Sequence, residues 1–225
     1  MKKYADILNE IKTNAERVKE LDSFTKSAKW SERNAAEIVK AAAEAETIRI
    51  ENKILHDNAR RALVAEVLPI ILEELNKYNG KPYGEKTREK INSAVKARAN
   101  CAFYIDSRTY GGDRLNIVPL DKNGYSGTGI FRYNDFEILP VYENGEPLRV
   151  LIDNKINVLP AEKLFISNCP EYVENTREHA EAIRAEFNAI KIARDEYAEK
   201  ISAFNKMIPS GLKEIPYVNY ISNLM

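Results

Sequence analysis

A chain of 225 residues with 44% hydrophobic residues is long enough to bury a real core, as one large or two small domains. Its 34 Lys and Arg balance its 34 Asp and Glu, which argues against a polyanion mimic and against a generally basic nucleic-acid coat protein, while leaving room for a local basic face. No apolar run reaches bilayer-spanning length and no signal core follows Met1-Lys2-Lys3-Tyr4; with only Cys101 and Cys169 as cysteines, a cytosolic protein with reduced thiols is expected.

The first segment repeats apolar residues at Tyr4, Ile7, Leu8, Ile11, Ala15, Val18, Leu21 and Phe24, one stripe of a helix. Tyr4, Ile11 and Val18 fall seven apart, as do Ile7, Asn14 and Leu21, so the stripe reads as a coiled-coil seam with one polar member. Ser31 is placed to cap a second helix over 32–78, in which Pro69 predicts a kink. Asn79-Gly80-Lys81-Pro82-Tyr83-Gly84 stops that helix.

A short amphipathic helix is expected over roughly 86–98. From Lys81 to Arg98 six cations (Lys81, Lys86, Arg88, Lys90, Lys96, Arg98) stand against Glu85 and Glu89, the clearest charge asymmetry in the chain. The composition then changes to Gly, Pro, Asn, Tyr and β-branched residues between Asn100 and Ser167. Strands are predicted at 101–105, 114–118, 130–133, 136–142, 148–152 and 156–159, with Pro140 favouring an edge position. Turns are predicted around Asp106 to Gly112 (containing Gly111-Gly112), 121–129, Glu143-Asn144-Gly145-Glu146-Pro147 and Asp153-Asn154-Lys155.

The last arm spaces Val173, Thr176, Ala180, Ile183, Phe187, Ile190, Arg194, Tyr197, Ile201, Phe204 and Ile208 three and four apart, with Pro170 placed as its first residue and Pro209-Ser210-Gly211 as its end. The expected organisation is α+β: long, coiled-coil-like helical arms flanking a small, mainly antiparallel β module. Its parts are an N-terminal helical arm (1–79), the basic helix plus β module (80–168), a heptad helix (169–208) and an apolar tail (209–225). Arms that fold back as an antiparallel pair would put the module at one tip. Stripes this narrow favour further association, hence a homodimer.

Candidate chemistry is sparse. His56 and His179 have no second ligand at metal spacing, and no cofactor is expected. Cys169, at a predicted helix N-terminus, is a candidate for a lowered pKa. Asp135 and Glu137 with Asp153-Asn154-Lys155 loosely resemble the acidic pair and lysine of Mg²⁺-dependent nucleases, but Asp-Asn-Lys is also what a tight hairpin turn selects. Ser126-Gly127-Thr128-Gly129 lacks the lysine of a phosphate loop. The remaining candidates form a partner- or nucleic-acid-binding face: Lys81, Tyr83, Lys86, Arg88, Lys90, Lys96, Arg98, Tyr104 and Tyr125. Their cations suit phosphates, and their rings suit base stacking or a protein interface.

The stretch Leu75-Asn76-Lys77-Tyr78-Asn79-Gly80-Lys81-Pro82-Tyr83-Gly84-Glu85-Lys86-Thr87-Arg88-Glu89-Lys90-Ile91 resembles a segment of uncharacterised phage and prophage accessory proteins. Those proteins also place a helical region before it and a β segment and long helix after it. The resemblance implies a small, non-enzymatic protein acting in a bacterial host's cytoplasm. It would bind a host protein or nucleoprotein, including a defence nuclease such as a CRISPR effector, as an anti-CRISPR protein does; no catalytic residue carries over.

Overall fold

The computed structural model describes residues 1–29, 31, 34–107, 113–121, 131 and 135–207. Among them run α1 (Tyr4–Ser27), α2 (Ala35–Asn76), α3 (Glu85–Ala99), β1 (Cys101–Ser107), β2 (Asp113–Pro119), β3 (Glu137–Pro140), β4 (Tyr142–Glu143), β5 (Glu146–Pro147), β6 (Leu151–Ile152), β7 (Lys155–Ile156), a 3-10 turn (Ala161–Lys163), β8 (Leu164–Ile166) and α4 (Thr176–Met207). The architecture is α+β, with helical arms around a small antiparallel sheet. Of the predicted strand at 130–133 only Phe131 is described; of the predicted turn at 106–112, Asp106 and Ser107 continue β1, and the rest, like the 209–225 tail, lies outside the described residues.

The axis of the molecule is α2, 42 residues and roughly 63 Å long at 1.5 Å per residue. It buries more than one side. Leu55, Ala59 and Ala62 meet Ile7 and Ile11 of α1, and Ala41, Ala45 and Ile48 meet Leu21. A second face, with Leu63, Val64, Val67, Ile71 and Leu75, shares one core with α3 and the strands. The module therefore packs on the C-terminal end of α2, where that helix is apolar on a side α1 does not cover. Helix α2 continues through Pro69, an exposed position.

Helices α1 and α2 form an antiparallel hairpin within the chain. Its register is carried by the core, where Ile7 and Ile11 lie against Ala59 and Leu55 and Leu21 against Ala45, while at the rim Arg17 with Glu44 (3.1 Å) and Asp22 with Arg49 (2.6 Å) cross it diagonally. That register sets Asn14 level with Asn52. The Asn14 Nδ2 donor and the Asn52 Oδ1 acceptor are both enclosed and have no hydrogen-bond partner among the described residues. A polar layer of this kind fixes the register of a seam at a cost in stability.

The main sheet has the order β1-β2-β3-β8, antiparallel throughout. Phe103, Ile105, Leu115, Ile117 and Ile138 face the core, the period-two burial of a sheet covered on one side. The outer edge of β1 is closed by side chains: Phe103 N donates to Asn92 Oδ1 (2.6 Å) and Ile105 N to the Tyr83 hydroxyl (3.1 Å). Edge donors satisfied in this way do not recruit another strand. Pro140 is not on an edge strand, as its ring suggested, since β3 lies between β2 and β8. Its missing amide is tolerated because it ends the strand, beyond the last β2–β3 pairing at Leu115 with Ile138.

The predicted strand 148–152 is reduced to β6, paired with β7. Asp153 (φ 51°) and Asn154 (φ 59°) form its left-handed turn, and Asn144 (φ 52°) with Gly145 (φ 84°) forms that between β4 and β5. Positive φ at both central residues defines the hairpin turns that match strand twist.

Replacing Asn14 and Asn52 together by Leu removes two enclosed polar atoms, and urea denaturation should show a gain of about 1–3 kcal/mol. A loss of stability in the double variant would show that the layer is satisfied in solution.

Candidate interaction surfaces

Helix α4 is mounted on α2 through backbone carbonyls. Arg60 Nε donates to Asp135 O (2.5 Å), Nη2 to Ser167 O (2.7 Å) and Nη1 to Asn168 O (3.0 Å). Arg61 donates to Cys169 O (3.0 Å) and to Pro170 O. Asn58 pairs reciprocally with Val173: Nδ2 to O at 2.7 Å, and the Val173 amide to Oδ1 at 2.9 Å. These bonds explain why the helix starts at Thr176 and not at Pro170. Backbone groups of 167–173 are held by α2 side chains, and the first helical turn forms only after Asn175, whose carbonyl accepts from His179 N (3.0 Å).

Thr176 Oγ1 and Arg177 Nη1 then reach buried Glu51 at 3.2 and 3.3 Å. As the chain advances from Val173 to Arg177 its partners step back from Asn58 to Glu51, so α4 runs toward the N-terminal end of α2. From Glu51 to that end is roughly 24 Å, against roughly 48 Å for α4, so the outer part of α4 continues past its support. Thr176 and Ala180 are buried, Ile183 is half-buried, and from Ala185 onward every described side chain except half-buried Ile201 is exposed. On the heptad stripe, Phe187 is 63% exposed, Ile190 65%, Tyr197 56% and Phe204 61%.

The predicted basic face is assembled differently. Lys86, Arg88, Lys90 and Lys96 are exposed on α3 and make no ion pair among the described residues. Arg98 is occupied: its guanidinium bonds Glu73 (2.7 Å) and Glu74 (2.8 Å) of α2. These pairs raise the Arg98 pKa. Glu73 is held below the usual carboxylate range chiefly by Arg98, and Glu74 chiefly by Lys77, with Arg98 adding to it. Lys81 lies 5.4 Å over the Tyr78 ring.

The two described tyrosines of this face are partly structural. The Tyr83 hydroxyl caps β1, and burial raises its pKa. Tyr104 is half-buried in β1, opposite Asn116. Tyr125 lies outside the described residues. Hairpin β6–β7, which carries the exposed Ile152, is tied to the segment leading into α3 through Pro82 bridging Lys155 and Tyr83 N donating to Asn154 O (2.8 Å).

The carboxylates of the nuclease-like pattern are not gathered. Glu137 pairs with Arg114 (2.6 Å) across β2–β3, and Asp153 sits in its hairpin turn. No group of three or more His, Cys, Asp or Glu is placed to hold a metal ion among the described residues. Cys169 is not at a helix N-terminus, and burial raises its thiol pKa against the opposing charges of Arg60 and Arg61. Buried Cys101 is pushed up to about 12. Burial lowers the pKa of His56, which packs on Phe131 (5.2 Å between rings), with Asp135 and Asp57 opposing. An open cleft of about 390 Å³ is lined by Val64, Leu68, Pro69, Ile166 and Tyr172, with the already bonded Arg61 at its rim.

Comparison with protein-family models, with curated proteins and with solved structures returned no match to this chain. Among the described residues no helix is long and apolar enough to cross a membrane.

Sequence reasoning missed Asn58, Arg60 and Arg61, whose acceptors lie 75 to 115 positions away. Their only trace is a pair of arginines where the helix passes from the polar His56-Asp57-Asn58 to the apolar Ala62-Leu63-Val64. The α4 stripe was visible as a heptad, but its exposure was not.

Arg60→Ala leaves three carbonyls without their donor and should lower stability by about 3 kcal/mol, with faster hydrogen exchange at the Val173 amide. Unchanged exchange there would separate Arg60 from the mounting of α4. For His56, the folded pKa lies below the ordinary 6.5, so the unfolded chain takes up the proton more readily. Its contribution is fully present above pH 6.5 and is lost as pH falls through that value toward the folded pKa. The melting temperature should drop between pH 7.5 and 5, with a smaller drop in His56→Gln; parallel curves for the two proteins would refute this.

Proposed function

We propose that the chain is a non-enzymatic interaction protein that binds a host protein or nucleoprotein through the face built by α3 and the β6–β7 hairpin. The supporting observation is a surface of mixed character. Lys86, Arg88, Lys90 and Lys96 stand exposed along α3, and the hairpin that carries the 52% exposed Ile152 is tied to the segment leading into that helix at Pro82 and Tyr83. Cations combined with an exposed apolar side chain suit an acidic protein patch: the charges steer the encounter and the apolar contact adds burial.

The resemblance of the 75–91 segment to phage accessory proteins supports a bacterial cytoplasm as the setting. It also supports a defence nuclease such as a CRISPR effector as a candidate target. A second reading, nucleic-acid binding by the same face, is favoured by the same four cations. Against it stand Arg98 and Lys77, both neutralised by Glu73 and Glu74.

The test is capture from bacterial lysate with tagged wild type and with the Lys86→Glu, Arg88→Glu, Lys90→Glu triple variant, each with and without nuclease treatment. The proposal expects one protein, retained after digestion and lost at least tenfold in the variant at an unchanged melting temperature. Capture that disappears on digestion, and that weakens roughly a hundredfold between 50 and 200 mM salt for four phosphate contacts, would replace it with the second reading. Equal capture by both proteins would sink both.

A further inference from the structure

The outer half of α4 takes no part in that face, and its pattern identifies what covers it. We propose that Phe187 to Phe204 of α4 pairs antiparallel with the same segment of a second copy, so that the protein dimerises tip to tip through α4.

The stripe is narrow. Phe187, Ile190, Arg194, Tyr197, Ile201 and Phe204 alternate steps of three and four, while Asp195, Glu196 and Glu199 occupy the outer side; Ile192 is the one large apolar residue away from the stripe. Two positions in seven make a coiled-coil seam, whereas a wide apolar groove is matched by a broader face. With about 100 Å² exposed on each large stripe residue, and the stems of flanking lysines added, two copies would bury on the order of 1,000 Å², the lower bound for a specific interface.

Arg194 selects the orientation. In a parallel pair in register it would face Arg194 of the second copy, two like charges in the seam. Antiparallel pairing centred between Asp195 and Glu196 instead matches Phe187 with Phe204 of the second copy, Ile190 with Ile201, and Arg194 with Tyr197, where the guanidinium can lie on the ring. A two-fold axis repeats each pair reciprocally. Lys191 is level with Lys200 of the second copy but on the opposite side of the seam; on its own side Lys191 neighbours Ala198 and Lys200 neighbours Ala193, so the like charges do not meet. The matched segment begins where support from α2 ends, and the two bodies lie at opposite ends of the joint.

The experiment is sedimentation equilibrium of the full chain between 1 and 100 μM, on wild type and on Ile190→Glu with Phe204→Glu. Disulfide trapping of Ile190→Cys and Ile201→Cys proteins, alone and mixed, gives the orientation. The expected results are a mass of twice 25.7 kDa for wild type, a monomer for the glutamate variant at unchanged helicity, and cross-linking only in the mixture. Cross-linking of Ile190→Cys with itself would overturn the orientation. A wild-type monomer at 100 μM would overturn the dimer, as would a monomer that dimerises only after residues 208–225 are removed, which would identify that segment as the occupant. Because lysate capture and oligomeric state are measured separately, failure of either proposal leaves the other standing.

Discussion

The fold depends on a constraint at the centre of α2, where a single helical turn presents three side chains that bind backbone carbonyls, with Arg60 also paired to Asp57 at 3.2 Å. Asn58, Arg60 and Arg61 hold the carbonyls of 135, 167–170 and 173. A guanidinium has donors in a fixed fork, so carbonyls that converge on it cannot shift independently. Charged donors to buried carbonyls are also among the stronger hydrogen bonds of a folded chain. One cluster thereby ties the start of β3, the exit of β8 and the entry to α4 to a single helix. With Glu51 receiving Thr176 and Arg177 just below it, the direction in which α4 leaves the body is set before its exposed half begins.

The same economy appears in the charges of α3. Counting cations along a window treats each as available, but a helix packed on another brings carboxylates from far outside that window. Glu73 and Glu74 precede Arg98 by about two dozen positions and neutralise it through the α2–α3 contact. Of those that remain exposed, Lys86 and Lys90 lie on the side of α3 turned away from Ile91 and Val95 and Lys96 on its flank, while Arg88 shares the stripe of Ile91 and Val95 and is open because it sits in the first turn. The distinction is one of packing, since the four open cations and the occupied one belong to the same helix and differ only in which neighbour they face.

Much of the fold was legible because local patterns were strong. The heptads of α1 and α4, the Gly80 stop and the Asn144-Gly145 and Asp153-Asn154 turns each have a local physical cause, so elements and turns could be placed from a few residues. The start of α4 was misplaced for the opposite reason: Pro170 is an acceptable first residue of a helix, and the arginines that hold its surroundings in a non-helical conformation are more than a hundred positions upstream. Pro140 misled similarly, because a proline excludes a strand interior only where its amide would have been used, and the pairing of β3 with β2 stops short of it. Of the nominated surface residues, Tyr83 shows the limit most clearly. Its ring and hydroxyl suited recognition, yet the hydroxyl closes the edge of β1, a role that depends on where β1 lies in space.

The seam covered within the chain alternates small residues with large ones such as Ile7, Ile11, Leu21, Ile48 and Leu55. Between α1 and α2 the small residues Ala41, Ala45, Ala59 and Ala62 let the backbones approach and leave little apolar area over. On α4 the supported turns follow the same rule, with Thr176 and Ala180 against α2. Past that support the stripe carries Phe187, Ile190, Tyr197, Ile201 and Phe204, side chains sized for a knobs-into-holes partner. Burial is lost after Arg184 while the three-and-four spacing of apolar residues continues to Phe204, so the exposed turns keep a seam pattern that α2 does not cover.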